Sequence, residues 1–67
     1  MKKYSVIISG HPTSISMEPE FWKAFQEIAR KTDKTLTSLI EQIDQERSGN
    51  LSSAIRLYVL KYLQEND

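Results

Sequence analysis

Cysteine is missing from all 67 residues, and histidine occurs once, at His11. Those absences exclude a disulfide framework and the Cys/His sets that hold structural zinc. They also remove the thiol nucleophile and leave only a turn imidazole, beside Gly10 and Pro12, for base chemistry. Paired carboxylates need a cleft to shift their pKa values, and so short a chain encloses none, so the sequence reads as non-enzymatic. No apolar run approaches the roughly 20 residues that span a bilayer. Met1-Lys2-Lys3-Tyr4 carries the charge of a signal-peptide start, but Val6-Ile7-Ile8 is too short for its apolar core and no small-residue cleavage site follows. The expectation is a soluble, cytoplasmic protein with no cofactor, no metal and no membrane contact.

Net charge is missing too: nine basic residues cancel nine acidic ones. The distribution is less even. From Met1 to Met17 the only charged side chains are Lys2 and Lys3, while from Glu18 onward seven basic residues face nine acidic ones. A protein that grips phosphates at its N-terminal end has this distribution, and so does an ordinary soluble domain. Size is more decisive. A chain of 67 residues makes one domain, here 1–67, and buries only roughly 60% of its unfolded surface. Small domains add disulfides, metal or oligomerisation. With the first two excluded, oligomerisation is expected.

What is present is a short alternating segment leading into helices. In Thr13-Ser14-Ile15-Ser16-Met17 the residues Thr13, Ile15 and Met17 form an inward set, and Pro12, Ser14 and Ser16 an outward one. A strand this short needs a partner for its backbone, and the same strand of a second copy is the expected one. Tyr4 to Ser9 also reads as extended, being rich in β-branched residues, and Gly10-His11-Pro12 interrupts it as a turn or kink. The first segment is then either a hairpin partner of Thr13–Met17 or a flexible arm.

Pro19 opens the first helix, with Glu18 and Glu20 where the helix dipole favours negative charge. Trp22, Phe25, Ile28 and Ala29 share one face, and the helix is expected to end near Lys31-Thr32. Thr35 is the expected N-cap of a second helix, whose stripe of Leu36, Leu39, Ile40 and Ile43 runs through Glu46 or Arg47, with Ser48-Gly49-Asn50 closing it. A third helix starts around Leu51-Ser52-Ser53, capped by either serine, and is apolar on more than one side through Leu63. Its second apolar surface implies burial against another protomer.

The pattern Gly10-His11-x-Thr13-Ser14-Ile15-Ser16-x-Glu18-Pro19-Glu20-Phe21-Trp22, followed by Ile43-Asp44-x-x-Arg47-x-Gly49-Asn50-Leu51-Ser52-Ser53-Ala54-Ile55-Arg56, resembles a small bacterial branch of the ribbon-helix-helix DNA-binding proteins of the Arc/MetJ type. The likeness runs from about Ser5 to Leu63. It implies a mainly α fold with one short β ribbon (α+β), an additional C-terminal helix and an intertwined homodimer. It implies a transcriptional regulator or repressor that lays an antiparallel two-stranded ribbon into the major groove of double-stranded DNA. Base contacts would come from Pro12, Ser14 and Ser16, and phosphate contacts from the start of the second helix, Thr35, Thr37 and Ser38 with Lys34 beside them, since helix N-termini offer free N–H groups. The expected dimer core is Ile15, Met17, Trp22, Phe25, Leu39, Ile43, Ile55 and Val59. Position 12, where this branch is expected to be basic, holds Pro12, so the outward set has none of the side chains that make bidentate base contacts.

Several residues carry two readings. Ser14 and Ser16 touch DNA or form a solvated face. Lys2 and Lys3 are either an arm along the phosphate backbone or a disordered, solubilising terminus over residues 1–3. His11 is a DNA contact or a simple turn residue. Trp22, Phe25, Tyr58 and Tyr62 at helical spacing are core rather than a stacking platform for single strands. Glu41 and Asp44 form a solvated face rather than a metal site. The alternative function is a dimeric protein–protein adaptor, or an antitoxin-like partner, that uses the C-terminal helix without DNA. Antitoxins of this kind carry a long partner-wrapping tail, and this chain runs only about four residues past Leu63.

Overall fold

The computed structural model describes residues 1–46 and 49–65. Expectations that fell on Arg47, Ser48, Asn66 and Asp67 lie outside the described residues. Two strands, β1 (Lys2–Ile8) and β2 (His11–Met17), precede three helices, α1 (Pro19–Lys31), α2 (Leu36–Glu46) and α3 (Leu51–Glu65).

The strands form an antiparallel hairpin in which Lys2 faces Met17, Tyr4 faces Ile15, Ser5 faces Ser14 and Ile8 faces His11. Its turn is Ser9-Gly10, both with positive φ, 51° and 81°. Two successive left-handed residues make the tight turn whose twist matches that of the flanking strands. This corrects the turn expected at Gly10-His11-Pro12, because His11 and Pro12 are the first residues of β2. Proline reads as a breaker, yet it is tolerated where no ladder hydrogen bond is required of it. The pair beside a two-residue turn is the hydrogen-bonded one, so the next pair, Ile7 with Pro12, is not. Pro12 therefore turns its donorless nitrogen away from β1. Within its own chain β2 thus pairs with β1 along one edge. Of the hairpin and the arm, the hairpin is what forms, and Lys2 and Lys3 belong to β1.

The helices start and stop as local chemistry dictates. Pro19 sits in the first turn of α1, and the Trp22 amide donates to the Glu18 carbonyl at 3.0 Å. At the other end Asp33 has φ 58°, and the Lys34 amide reaches back to the Ala29 carbonyl at 2.9 Å. That six-to-one bond closes the helix around a left-handed residue. The Thr32 hydroxyl donates to the Ile28 carbonyl at 2.8 Å. Thr35 caps α2, its Oγ1 accepting from the Ser38 amide at 3.0 Å. The cap of α3 is Asn50, not Ser52 or Ser53: its Oδ1 accepts from the Ser52 amide at 2.8 Å and the Ser53 amide at 3.4 Å. The asparagine side chain, one residue before the helix, has the reach the serines would need from inside it.

One core joins the elements. Ile8, Ile15 and Met17 from the hairpin meet Trp22, Phe25, Ile28 and Ala29 of α1, Leu39, Ile40 and Ile43 of α2, and Ile55 and Val59 of α3. Tyr4 stacks on Trp22 with ring centroids 4.3 Å apart and planes 9° apart, which pins β1 to α1. Phe25 meets the Tyr58 ring edge-on at 6.1 Å. All eight residues expected in a dimer core are buried in this single chain. What one chain leaves exposed is a different set: Met1, Ile7, Leu57, Leu60 and Leu63.

Candidate nucleic-acid interface

The register divides the hairpin into two faces. Inward lie Tyr4, Val6 and Ile8 with Thr13, Ile15 and Met17; outward lie Lys3, Ser5 and Ile7 with Ser16, Ser14 and Pro12. Pro12 and Ser14 are exposed, Ser16 is half-buried, and Ile7 keeps 61% of its surface in solvent. The expected base-contact residues therefore share one face and one strand. β1 adds a second row to that face which the sequence reading did not use. Its signal was present: Lys3, Ser5 and Ile7 alternate with Tyr4, Val6 and Ile8, and two turn residues separate the strands.

β2 has one edge open, since the sheet holds β1 and β2 alone among the described residues. By the alternation that starts at the turn, Ser14 and Ser16 direct their backbone N–H and C=O groups to that edge. β2 carries no charged side chain, whereas β1 begins with Lys2 and Lys3. Lysines on an edge strand discourage further pairing, so the two edges are not equivalent. A groove of about 570 Å³ borders β2, with His11, Thr13, Ser14 and Ser16 on the strand side and Asp44, Asn50 and Ser52 on the helix side. His11 lies in β2 next to the turn, exposed.

The second expected contact region stays at the start of α2. Lys34, Thr35, Thr37 and Ser38 are all exposed. The Lys34 backbone closes α1, which leaves its ammonium group directed to solvent beside the α2 N-terminus. An anion bound here would displace the Thr35 hydroxyl from the Ser38 amide, because cap and ligand use the same donor. One contact ties this region to the hairpin: the Ser9 amide donates to Glu41 Oε2 at 3.0 Å. Glu41 is one helical turn beyond Thr37, about 6 Å of rise, so the hairpin tip and the α2 N-terminus are neighbours.

Away from this face, Glu18 accepts from Arg56 Nε at 2.8 Å, joining the β2–α1 junction to α3. The hydrogen bond from that guanidinium holds the Glu18 carboxyl below its ordinary range. Burial pushes the Tyr58 phenol up, with Tyr62 adding to the shift. Among the described residues no group of three or more His, Cys, Asp or Glu side chains could hold a metal ion, and no helix is long and apolar enough to cross a membrane. Trp22 and Phe25 are core, and Tyr58 and Tyr62 pack against it, so no stacking platform exists there.

No curated protein and no solved structure matches the sequence. A family model described as a ribbon-helix-helix domain matches residues 1–63. With a two-stranded antiparallel ribbon leading into consecutive helices over that span, the chain belongs to the ribbon-helix-helix domain family, whose members generally bind DNA and form dimers.

Proposed function

We propose that residues 1–67 act as one domain of a homodimeric transcriptional regulator, a repressor working in the bacterial cytoplasm, that inserts β strands into the major groove of double-stranded DNA. The observation that carries this is the asymmetry of β2: one edge taken by β1, the other open and uncharged, with a buried inner row and a polar outer row. A second copy pairing its own β2 along the open edge satisfies the Ser14 and Ser16 backbones and joins the two outward rows into one surface. Pro12, Ser14 and Ser16 then face base edges. Lys3, Lys34, Thr35, Thr37 and Ser38 lie toward phosphates, whereas Lys2, opposite Met17 at the end of the inward row, does not. The eight core residues, from Ile15 to Val59, act by fixing each chain's strand, and the contact with the partner falls on the β2 edge.

The outward set contains no Arg, Lys, Asn or Gln on β2, so the roughly 1–3 kcal/mol of discrimination per bidentate contact is missing. Binding rests on phosphates and falls with salt. The test is a fluorescence titration against genomic fragments at several salt concentrations, with the oligomeric state followed by sedimentation. A dimer whose affinity drops steeply with salt is expected; a folded dimer that binds no DNA at low salt overturns the reading.

One observation favours the adaptor reading. Leu57, Leu60 and Leu63 of α3 are about half exposed, and a groove of about 500 Å³ between α2 and α3 is lined by Ile43, Ala54, Leu57 and Tyr58. The substitution Leu60→Lys separates the two: it leaves DNA affinity unchanged if DNA is the partner, and abolishes capture of a stoichiometric protein partner if α3 is the working surface.

A further inference from the structure

The hairpin changes what can enter the groove. A second copy on the open edge of β2 makes a sheet of four strands in the order β1, β2, β2 of the partner, β1 of the partner. Strands lie about 4.8 Å apart, which puts the outermost axes about 14 Å from each other before side chains are counted. The major groove is about 12 Å wide and admits two strands. The central β2 pair fits, and the two β1 strands do not. They come to rest above the sugar–phosphate ridges on either side.

The chemistry of the outward face follows that division. The β2 row is uncharged and short: Pro12, Ser14, Ser16. Lys3, opposite Ser16, is the one outward-facing cation of the sheet among the described residues, and Ser5, opposite Ser14, adds a hydroxyl donor. Ile7, opposite Pro12, is apolar and 61% exposed. Lys2 stands opposite Met17 at the end of the inward row, so its side chain leaves the sheet on the other side.

We propose that β1 is part of the DNA-binding surface, with Lys3 and Ser5 contacting phosphates on the ridges beside the groove and Ile7 against the sugars. This rests on the DNA reading above and deepens it. Two strands riding on the ridges also limit how far β2 descends, so short serines meet the bases shallowly and sequence preference is weak. Lys3 and Lys2 are then not equivalent residues of one arm.

The experiment compares the salt dependence of binding for the intact chain, Lys2→Ala, Lys3→Ala and Ser5→Arg on one DNA duplex, with a thermal melt of each. Each lost phosphate contact removes about 0.9 from the slope of log affinity against log salt, so Lys3→Ala, counted twice per dimer, lowers it by about 1.8. Between 50 and 200 mM salt that amounts to about a tenfold smaller loss of affinity. Lys2→Ala is expected to keep the parent slope, and Ser5→Arg to steepen it. Equal reductions for Lys2→Ala and Lys3→Ala would restore the free arm and overturn the proposal, as would an unchanged slope for both Lys3→Ala and Ser5→Arg. Either result leaves DNA binding itself standing, whereas failure of the intact chain to bind overturns both.

Discussion

The two faces of one hairpin differ more than any other two regions of the molecule. Inward, Ile15 and Met17 are fully buried and Tyr4 stacks on Trp22; outward, the same seven-residue strands show two serines and a proline against lysine, serine and isoleucine. Sidedness of this kind comes from the two-residue period of a strand, and a slip of one residue would exchange the faces. The inward row determines how firmly the strand is held. The outward row is free to vary without affecting the fold, which is what a binding surface on a small domain requires.

Substitutions that strike one face and spare the other probe this division. Ile15→Ala removes a buried side chain that touches the core from the sheet side, and denaturant unfolding is expected to show a loss of about 2–5 kcal/mol. Ser14→Ala, one residue away and outward, is expected to stay within about 0.5 kcal/mol of the parent stability. Equal effects of the two would mean that the register is wrong. Gly10→Ala attacks the device that sets the register. Its left-handed φ of 81° costs a side chain about 1–2 kcal/mol, although no atom stands within 4 Å of the new methyl. Conversely, Ser9→Asn suits the left-handed φ of 51° and should raise the melting temperature slightly.

Thr35→Ala separates capping from ligand binding. Loss of the bond to the Ser38 amide should cost about 1 kcal/mol of stability. DNA affinity should fall much less, because an anion takes the same amide. The smallest expected effect is the acid response of Glu18. Its carboxyl is held low in the folded chain by Arg56, so the pair's stabilisation is complete above the ordinary carboxylate value and disappears as pH falls through the depressed one. The pair is partly exposed, so solvent screens it and Arg56→Gln should flatten that acid limb only slightly in a melt series.

Much of the fold could be read in the residues. Pro19 marked the start of α1, Thr35 the cap of α2, and the helical stripes picked out Trp22, Phe25, Leu39 and Ile43 as buried. The hairpin turn is misplaced because Pro12 looks like a breaker, and only the pairing register shows that its nitrogen points away from β1. The Asn50 cap was hidden by two adjacent serines of equal propensity. The contribution of β1 to the outward face was missed for a different reason. Lys2-Lys3 resembles a terminal arm until Tyr4 is seen stacked on Trp22, and stacking across an element boundary leaves no periodic trace in a sequence.

The most direct test of the two-faced hairpin places a negative charge on the outward row. Ser14→Glu should leave each chain folded with the parent melting temperature, because the side chain is exposed on the outward face, while DNA affinity at low salt falls at least tenfold through repulsion by phosphates. A folded Ser14→Glu dimer that binds DNA as tightly as the parent would contradict the account, since the outward face could not then be the surface that meets DNA.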